Sequence, residues 1–146
     1  MKKWLCLVLA LLTLTVCVWA AAESTDWNYD LNYAILRGYN GAGGDVTVPA
    51  EIDGYTVDVI GVSVFGSEAI TSLTLPETVL ELRSNAVSGC ENMTSVTLPQ
   101  SLVVINRMNF FSCNLLEEVA IPAGVRYIGE NSFRFCDALR KITFEG

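Results

Sequence analysis

The sequence predicts a β-rich solenoid of the α/β class: a right-handed stack of coils about 23 residues long, with a β-hairpin cap at the N-terminal end. Two kinds of residue recur at an interval of 23, and the apolar positions between them match from copy to copy. Because no single coil can bury its own apolar side, the coils are expected to share one core. The recurring residues are Pro76, Pro99 and Pro122, and Cys90, Cys113 and Cys136.

Residues 1–22 are predicted to be a signal peptide. Lys2 and Lys3 precede an apolar run over residues 4–19, and alanines follow at residues 20–22. A basic start, an apolar run and small residues at the cleavage site form the pattern of an export signal. An uncleaved membrane anchor is the alternative, because the run is nearly long enough to span a bilayer. We therefore expect a secreted or cell-surface protein, and a short signal that begins with lysines is typical of bacteria.

The charge balance excludes several classes of partner. Nine Lys and Arg residues stand against 16 Asp and Glu residues, which gives a net charge of −7. Removal of Lys2 and Lys3 with the signal peptide would leave seven basic residues and a net charge of −9. An acidic chain without a basic cluster is unsuited to nucleic acid or to anionic lipid. Beyond the signal peptide, no nucleic-acid or membrane contact is expected.

Residues 23–45 are predicted to form the capping hairpin and the lead-in to the repeats. In the stretch "DWNYDLNYAILRGYNG", the apolar residues Trp27, Tyr29 and Leu31 alternate with polar ones, and a second run follows the polar "NYA". Alternation of this kind is typical of half-buried strands. Two such runs joined by a short polar segment predict a β-hairpin.

Residues 46–146 are predicted to form the solenoid, with about four coils of which the last is incomplete. Each coil reads as a strand, a corner marked by proline, a second short extended piece, and a compact turn that carries an aromatic residue and a cysteine. Proline fits the corner because no ladder hydrogen bond is needed there. The first copy contains the insertion "EIDGYTVD", and the final half-copy "LRKITFEG" repeats only the strand.

Three of the copies, "LTLPETVLELRSNAVSGC", "VTLPQSLVVINRMNFFSC" and "VAIPAGVRYIGENSFRFC", resemble the BspA-type leucine-rich repeat. The resemblance covers residues 27–146 and implies the leucine-rich-repeat fold. It also implies roles such as bacterial surface adhesion or contact with host proteins. Arg83 and Asn106 replace a usual glycine of the family that Gly61 and Gly129 retain. If that glycine supplies a left-handed backbone, Arg83 costs about 1 kcal/mol and Asn106 less.

No catalytic, cofactor or metal site is predicted. The chain has no histidine, which removes the Ser-His and Cys-His nucleophile systems, and it has no C-x-x-C pair for zinc. Cys90, Cys113 and Cys136 share one repeat position and each follows an apolar residue by three. They are interpreted as a ladder of small buried side chains, although the spacing of neighbouring coils would admit one disulfide. We expect a non-enzymatic protein without a cofactor.

The candidate partner-binding site is a surface. The outward strand residues are small and rich in hydroxyl groups, so a protein could lie against them; a merely solvated face of good strand formers is the alternative. These residues are Ser72, Thr74, Ser95, Thr97, Glu118, Lys141 and Thr143. The second extended pieces offer an apolar column that is either exposed to a partner or buried in a wider core: Leu80, Val103, Val104 and Tyr127.

The sequence thus predicts an exported, non-enzymatic module that binds proteins or mediates adhesion at the cell surface. The alternative is a structural spacer or a self-assembling stalk, as part of a longer repeat array. In that case the strand edge at "ITFEG" would carry the self-association, since an unpaired strand edge invites pairing.

Overall fold

A computed structural model describes residues 26–146, so the predicted signal peptide lies outside the described residues. Residues 26–146 form a β-solenoid of strands and turns without an α-helix. The predicted β-rich solenoid is therefore confirmed, and the second side of each coil is itself a strand. Two of these second-side strands are the β-branched pairs Val59–Ile60 and Val104–Ile105, which favour extended backbone.

The strands are short, as a coil of about 23 residues requires. In chain order they are β1 (Trp27–Asp30), β2 (Ile35–Tyr39), β3 (Gly44–Thr47), β4 (Glu51–Ile52), β5 (Tyr55–Thr56), β6 (Val59–Ile60), β7 (Ile70–Thr74), β8 (Glu81–Leu82), β9 (Ser95–Thr97), β10 (Val104–Ile105), β11 (Glu118–Ile121), β12 (Tyr127–Ile128) and β13 (Lys141–Phe144).

The predicted hairpin is confirmed as an antiparallel pair, β1 with β2. It covers the N-terminal end of the core, because buried Trp27 packs its ring 4.8 Å from Tyr39 and 6.3 Å from Phe65 between centroids. β2 also pairs in parallel with β6 through Leu36 and Ile60. The hairpin is therefore part of a sheet with the order β1-β2-β6-β8-β10-β12.

The strands before the prolines form two separate sheets. β3, β7 and β9 make one parallel sheet, and β11 and β13 make another; no ladder joins β9 to β11. β3, β7 and β9 end two residues before Pro49, Pro76 and Pro99, and β11 ends directly before Pro122. The corner position predicted for proline is thus confirmed, because pairing stops where the N–H donor is lost.

The apolar repeat positions form one continuous core. Leu82, Ile105 and Phe110 are fully enclosed, as is Val87 at the aromatic position of its coil. In the copy that contains Pro122, the corresponding residues are only partly buried and pack against the edge of that core. They are Val125, Ile128, Phe133, Cys136 and Leu139.

Each compact turn of the three central copies uses two residues in the left-handed region, and neither is the glycine that the sequence suggested. The first position is occupied by Asn85, Met108 and Asn131, and the second by Gly89, Ser112 and Phe135. Gly61 and Gly129 do not adopt positive φ. Gly61 lies instead against Leu36 of the hairpin, and Gly129 against the preceding coil, where a Cβ on Gly129 would stand 2.3 Å from the Arg107 amide nitrogen.

Gly89→Ala is expected to lower the free energy of unfolding by about 1 kcal/mol, measured by urea denaturation. Gly89 has φ of 83°, and a Cβ there would meet no other atom within 4 Å. The loss of stability would therefore come from the strained backbone conformation of the new alanine and not from a steric overlap. Ser112→Gly is the matched control at the same repeat position, where relief of a φ of 58° should not destabilise. A Gly89→Ala protein as stable as the parent would contradict this account.

Candidate binding surfaces

Four of the predicted face residues lie together on the β3-β7-β9 sheet. Ser72 pairs with Ser95 and Thr74 with Thr97, so the hydroxyl side chains form two rows along the stack. Ser95 and Thr97 are exposed, while Ser72 and Thr74 are half-buried. We call these four residues the hydroxyl face. The spacing of neighbouring strands, about 4.8 Å, fixes the spacing of the rows.

Asp45 extends one of these rows and was missed from the sequence. Asp45 pairs with Ser72, and its Oδ1 accepts hydrogen bonds from the Ser72 hydroxyl at 2.7 Å and the Thr71 hydroxyl at 3.1 Å. The signal was present in the repeat, because Val46 aligns with Leu73 and therefore Asp45 aligns with Ser72. The face thus begins with a carboxylate that orients its neighbouring hydroxyls.

The other predicted face residues, Glu118, Lys141 and Thr143, lie on the separate β11-β13 sheet. All three are exposed, and Glu118 pairs with Lys141 across the ladder. Arg140 forms salt bridges with Glu117 at 2.8 Å and Glu118 at 3.1 Å. The seven predicted residues therefore lie on two neighbouring sheets, one rich in hydroxyls and one charged.

The apolar column runs along the six-stranded sheet, with Val104 on β10, Tyr127 on β12, and Leu80 and Val103 directly before β8 and β10. Val104 pairs with Glu81 on one side and with Tyr127 on the other. Leu80 is 47% exposed and Tyr127 is 52% exposed, whereas Val103 and Val104 are half-buried. The column is therefore at the surface rather than inside a wider core.

The three cysteines form the predicted ladder, with Cys90 and Cys113 buried and Cys136 partly buried, and none of them is bridged to another cysteine of residues 26–146. Each thiol donates to a carbonyl of the preceding coil: Cys90 to Phe65, Cys113 to Val87 at 3.4 Å, and Cys136 to Phe110 at 2.9 Å. Burial is the main cause that raises the pKa of all three thiols. The thiols are therefore held neutral, which is unsuited to nucleophilic or redox chemistry.

This ladder predicts a loss of stability in alkali. The pKa of Cys113 is raised in the folded protein, so its neutral thiol contributes fully to stability below the ordinary thiol pKa of about 8.5. Above that pH the thiol of the unfolded chain ionises first, and the contribution to the free energy of unfolding declines. Between neutral pH and pH 10 we expect Cys113 to account for a loss of roughly 1–2 kcal/mol. Urea unfolding of the parent and of Cys113→Ala at both pH values isolates that share. Equal pH dependence in the two proteins would contradict it.

A cavity of about 400 Å³ opens beside the capping hairpin. Its lining comes from β1, the loop after β2 and the β4-β5 insertion, including Trp27, Tyr29 and Tyr55. The insertion departs from the repeat in sequence, but no local sequence pattern indicates that it faces the hairpin. Among residues 26–146, no cluster of three or more Cys, Asp and Glu side chains could hold a metal ion. That same range contains no helix long and apolar enough to cross a membrane.

Comparisons with known proteins agree with the fold. Residues 51–146 match the family model for the BspA type Leucine rich repeat region, in six copies. A leucine-rich repeat protein from Bacteroides capillosus is 32% identical, with a TM-score of 0.70, and the match covers 82% of this chain and 93% of that one.

Two further solved structures are similar at lower identity. The T. pallidum leucine-rich repeat protein is 23% identical with a TM-score of 0.64, and the match covers 80% of this chain and 66% of that one. A leucine rich cell surface protein from Faecalibacterium prausnitzii is 25% identical with a TM-score of 0.55, over 81% of this chain and 40% of that one. No curated protein matches the sequence. On the family match and the Bacteroides capillosus relative, the chain belongs to the BspA-type leucine-rich repeat family.

Proposed function

We propose that the protein is an exported, non-enzymatic module that binds a protein partner at the bacterial cell surface through the hydroxyl face. The observation that carries this proposal is the pair of parallel rows, Ser72 with Ser95 and Thr74 with Thr97, on a regular sheet. A rigid stack with repeated side-chain rows suits broad, shallow recognition. Serine and threonine hydroxyls each offer a donor and an acceptor, and they lose little conformational freedom when they are bound.

The family supports the class of function. Leucine-rich-repeat proteins generally take part in protein–protein interaction and are generally non-enzymatic. The similar Faecalibacterium prausnitzii protein is a cell surface protein, and export of the present chain rests on the signal pattern of residues 1–22. We propose adhesion at the cell surface as the role that fits these observations.

The apolar column is the weaker candidate face because charged side chains interrupt it. In the row that contains Val104 and Tyr127, the residue next to Val104 on the other side is the charged Glu81. The adjacent row contains Leu80 and Val103 and ends at the charged Arg126. The exposed Leu80 and Tyr127 side chains therefore do not form one continuous apolar patch of the kind that marks an interface.

The test compares two exposed pairs of residues. A partner is captured from bacterial or host surface extracts by cross-linking and identified, and its affinity is then measured by surface plasmon resonance. The double variant Ser95→Glu/Thr97→Glu should bind about tenfold more weakly, the equivalent of 1.4 kcal/mol. The matched control Leu80→Glu/Tyr127→Glu should change affinity less than about twofold. Unchanged affinity in the first variant would rule out the hydroxyl face, and a loss confined to the second would assign binding to the apolar column.

A specific observation also favours a second candidate, a self-assembling spacer. All four residues of β13 are exposed, including Ile142 at 39% and Phe144 at 65%. Within residues 26–146, β13 pairs only with β11, so its outer edge is free to pair with another strand. Light scattering over a range of concentrations should then show dimers or larger species that Ile142→Lys abolishes. A monomer at every concentration would exclude this candidate.

A further inference from the structure

The cavity beside the cap lies where the repeat is interrupted. Two elements depart from the 23-residue theme, the hairpin β1-β2 and the insertion that carries β4 and β5. They meet around a cavity of about 400 Å³. This volume is in the range of small-molecule sites, which run from roughly 300 to 1,000 Å³. Neither β4 nor β5 joins one of the stacked sheets, so the insertion is not needed to extend the solenoid.

The insertion is itself rigidly built. β4 and β5 pair antiparallel, with Ile52 opposite Tyr55. The two-residue connection, Asp53-Gly54, has φ values of 52° and 83°. Two central residues with positive φ, filled by Asp-Gly, are the signature of a tight hairpin turn whose twist matches its strands. One wall of the cavity is therefore fixed by backbone structure.

The two walls are joined by contacts that would hold the cavity open. The Tyr29 hydroxyl of β1 donates to the Thr56 carbonyl oxygen of β5 at 2.9 Å. The rings of Tyr29 and Tyr55 stack with centroids 6.0 Å apart and planes at 23°. These contacts tie the hairpin to the insertion, and a pre-organised site of this kind loses less free energy when a ligand binds.

The lining combines aromatic rings with uncharged polar groups and one carboxylate. Its aromatic members include Tyr55, which is 49% exposed, and Trp27, whose buried Nε1–H has no acceptor among the described residues. Asn28, Asn40 and Asp53 add amide and carboxylate groups. Among residues 26–146, no lysine or arginine lines the cavity. Aromatic faces pack well against the C–H groups of a sugar ring, and amides and carboxylates pair with its hydroxyls.

We propose that this cavity binds a short neutral saccharide. The ligand class follows from the lining, because the exposed Tyr55 ring offers an apolar surface to a pyranose while Asn28, Asn40 and Asp53 can hold its hydroxyl edge. An anionic sugar is disfavoured by Asp53 and by the acidic charge of the whole chain. This binding is separate from protein recognition by the hydroxyl face and would bring the exported protein to a glycan-bearing surface.

Calorimetric titration of the purified protein with cellotetraose, maltotetraose, xylotetraose and tetra-N-acetylchitotetraose tests the proposal, with trigalacturonic acid as the anionic comparison. At least one neutral saccharide should bind at up to millimolar concentration, and more tightly than trigalacturonic acid. Absence of binding by all four neutral saccharides, or a preference for the anionic one, would overturn the proposal.

Variants then locate the site. Tyr55→Ala should weaken binding about tenfold or more, whereas Tyr55→Phe should retain it within about twofold because the ring remains. Tyr127→Ala is the matched control, since Tyr127 is a similarly exposed tyrosine, at 52%, on β12. Equal losses in Tyr55→Ala and Tyr127→Ala would overturn the assignment. The variant Ser95→Glu/Thr97→Glu should bind the saccharide normally, so failure of this inference and failure of the hydroxyl face remain distinguishable.

Discussion

Replacing Phe110 with alanine is expected to lower the free energy of unfolding by about 3–5 kcal/mol. The Phe110 side chain is fully buried, and its ring stacks on Phe133 with centroids 5.3 Å apart and planes at 6°. Truncation removes the transfer free energy of the ring and leaves a void that neighbouring coils cannot close without shifting. The cost falls on the core that adjacent coils share, so it should affect the whole stack.

Urea denaturation followed by circular dichroism measures this loss, and the chain offers two matched variants. Phe111→Ala removes the same ring one position along, where the side chain is only partly buried and contacts Phe135 edge-on at 5.1 Å; it should cost no more than about 1.5 kcal/mol. Phe110→Val places at this position the residue that Val87 supplies in the preceding coil, and should fall between the two. A similar cost for Phe110→Ala and Phe111→Ala would contradict the shared aromatic core.

Gly129→Ala is expected to destabilise the protein by about 3 kcal/mol, at the upper end of what overpacking usually costs. A Cβ at Gly129 would stand 2.3 Å from the amide nitrogen of Arg107 and 2.7 Å from its Cα. These are backbone atoms of the preceding coil, so no side-chain rotation can relieve the overlap. The coils would have to separate locally, and the Gly129 N–H bond to the Ile105 carbonyl, 2.8 Å long, would be strained.

Gly38→Ala provides the control for that substitution. A Cβ at Gly38 would lie 3.5 Å from the Asn28 Cβ, an ordinary van der Waals contact. Thermal or urea unfolding of this variant should differ from the parent by less than about 1 kcal/mol. If Gly129→Ala were as mild as Gly38→Ala, the close approach of the two coils at Arg107 would be wrong.

The repeat itself could be predicted from the sequence because its signals are local and recur. The prolines mark the strand ends, and Leu82, Ile105 and the cysteines mark the core. The pairing of Glu81, Val104 and Tyr127 follows from the interval alone. Each of these features depends on residue type at a fixed offset, which a single chain displays directly.

The backbone of the compact turns could not be predicted in this way. The recurring glycine suggested a left-handed residue, but Gly129 serves close packing between coils. The left-handed positions are occupied in part by Met108 and Phe135, and neither residue type favours that conformation. Stacking against neighbouring coils therefore imposes a conformation that local preference would not choose.

The cavity and the division of the strand face were also beyond the sequence, because both depend on contacts between distant segments. Tyr29 and Thr56 are 27 residues apart when they join the hairpin to the insertion. Ser95 and Glu118 occupy equivalent repeat positions, yet β9 and β11 form no ladder. Periodicity predicts which residues align but not whether two aligned strands come close enough to bond.

Because that ladder is missing, we expect the stack to bend more easily at this junction than between other coils. Between the coils that carry β9 and β11, the six-stranded sheet remains bonded through β10 and β12, and the compact turns remain bonded through Met108 to Glu130 and Phe110 to Ser132. Two sides of this junction therefore resist extension, and the third has no ladder to stretch. We expect bending to concentrate at this junction, with the coils hinging about the six-stranded sheet. A ligand that contacted both Thr97 and Glu118 would then restrict that bending.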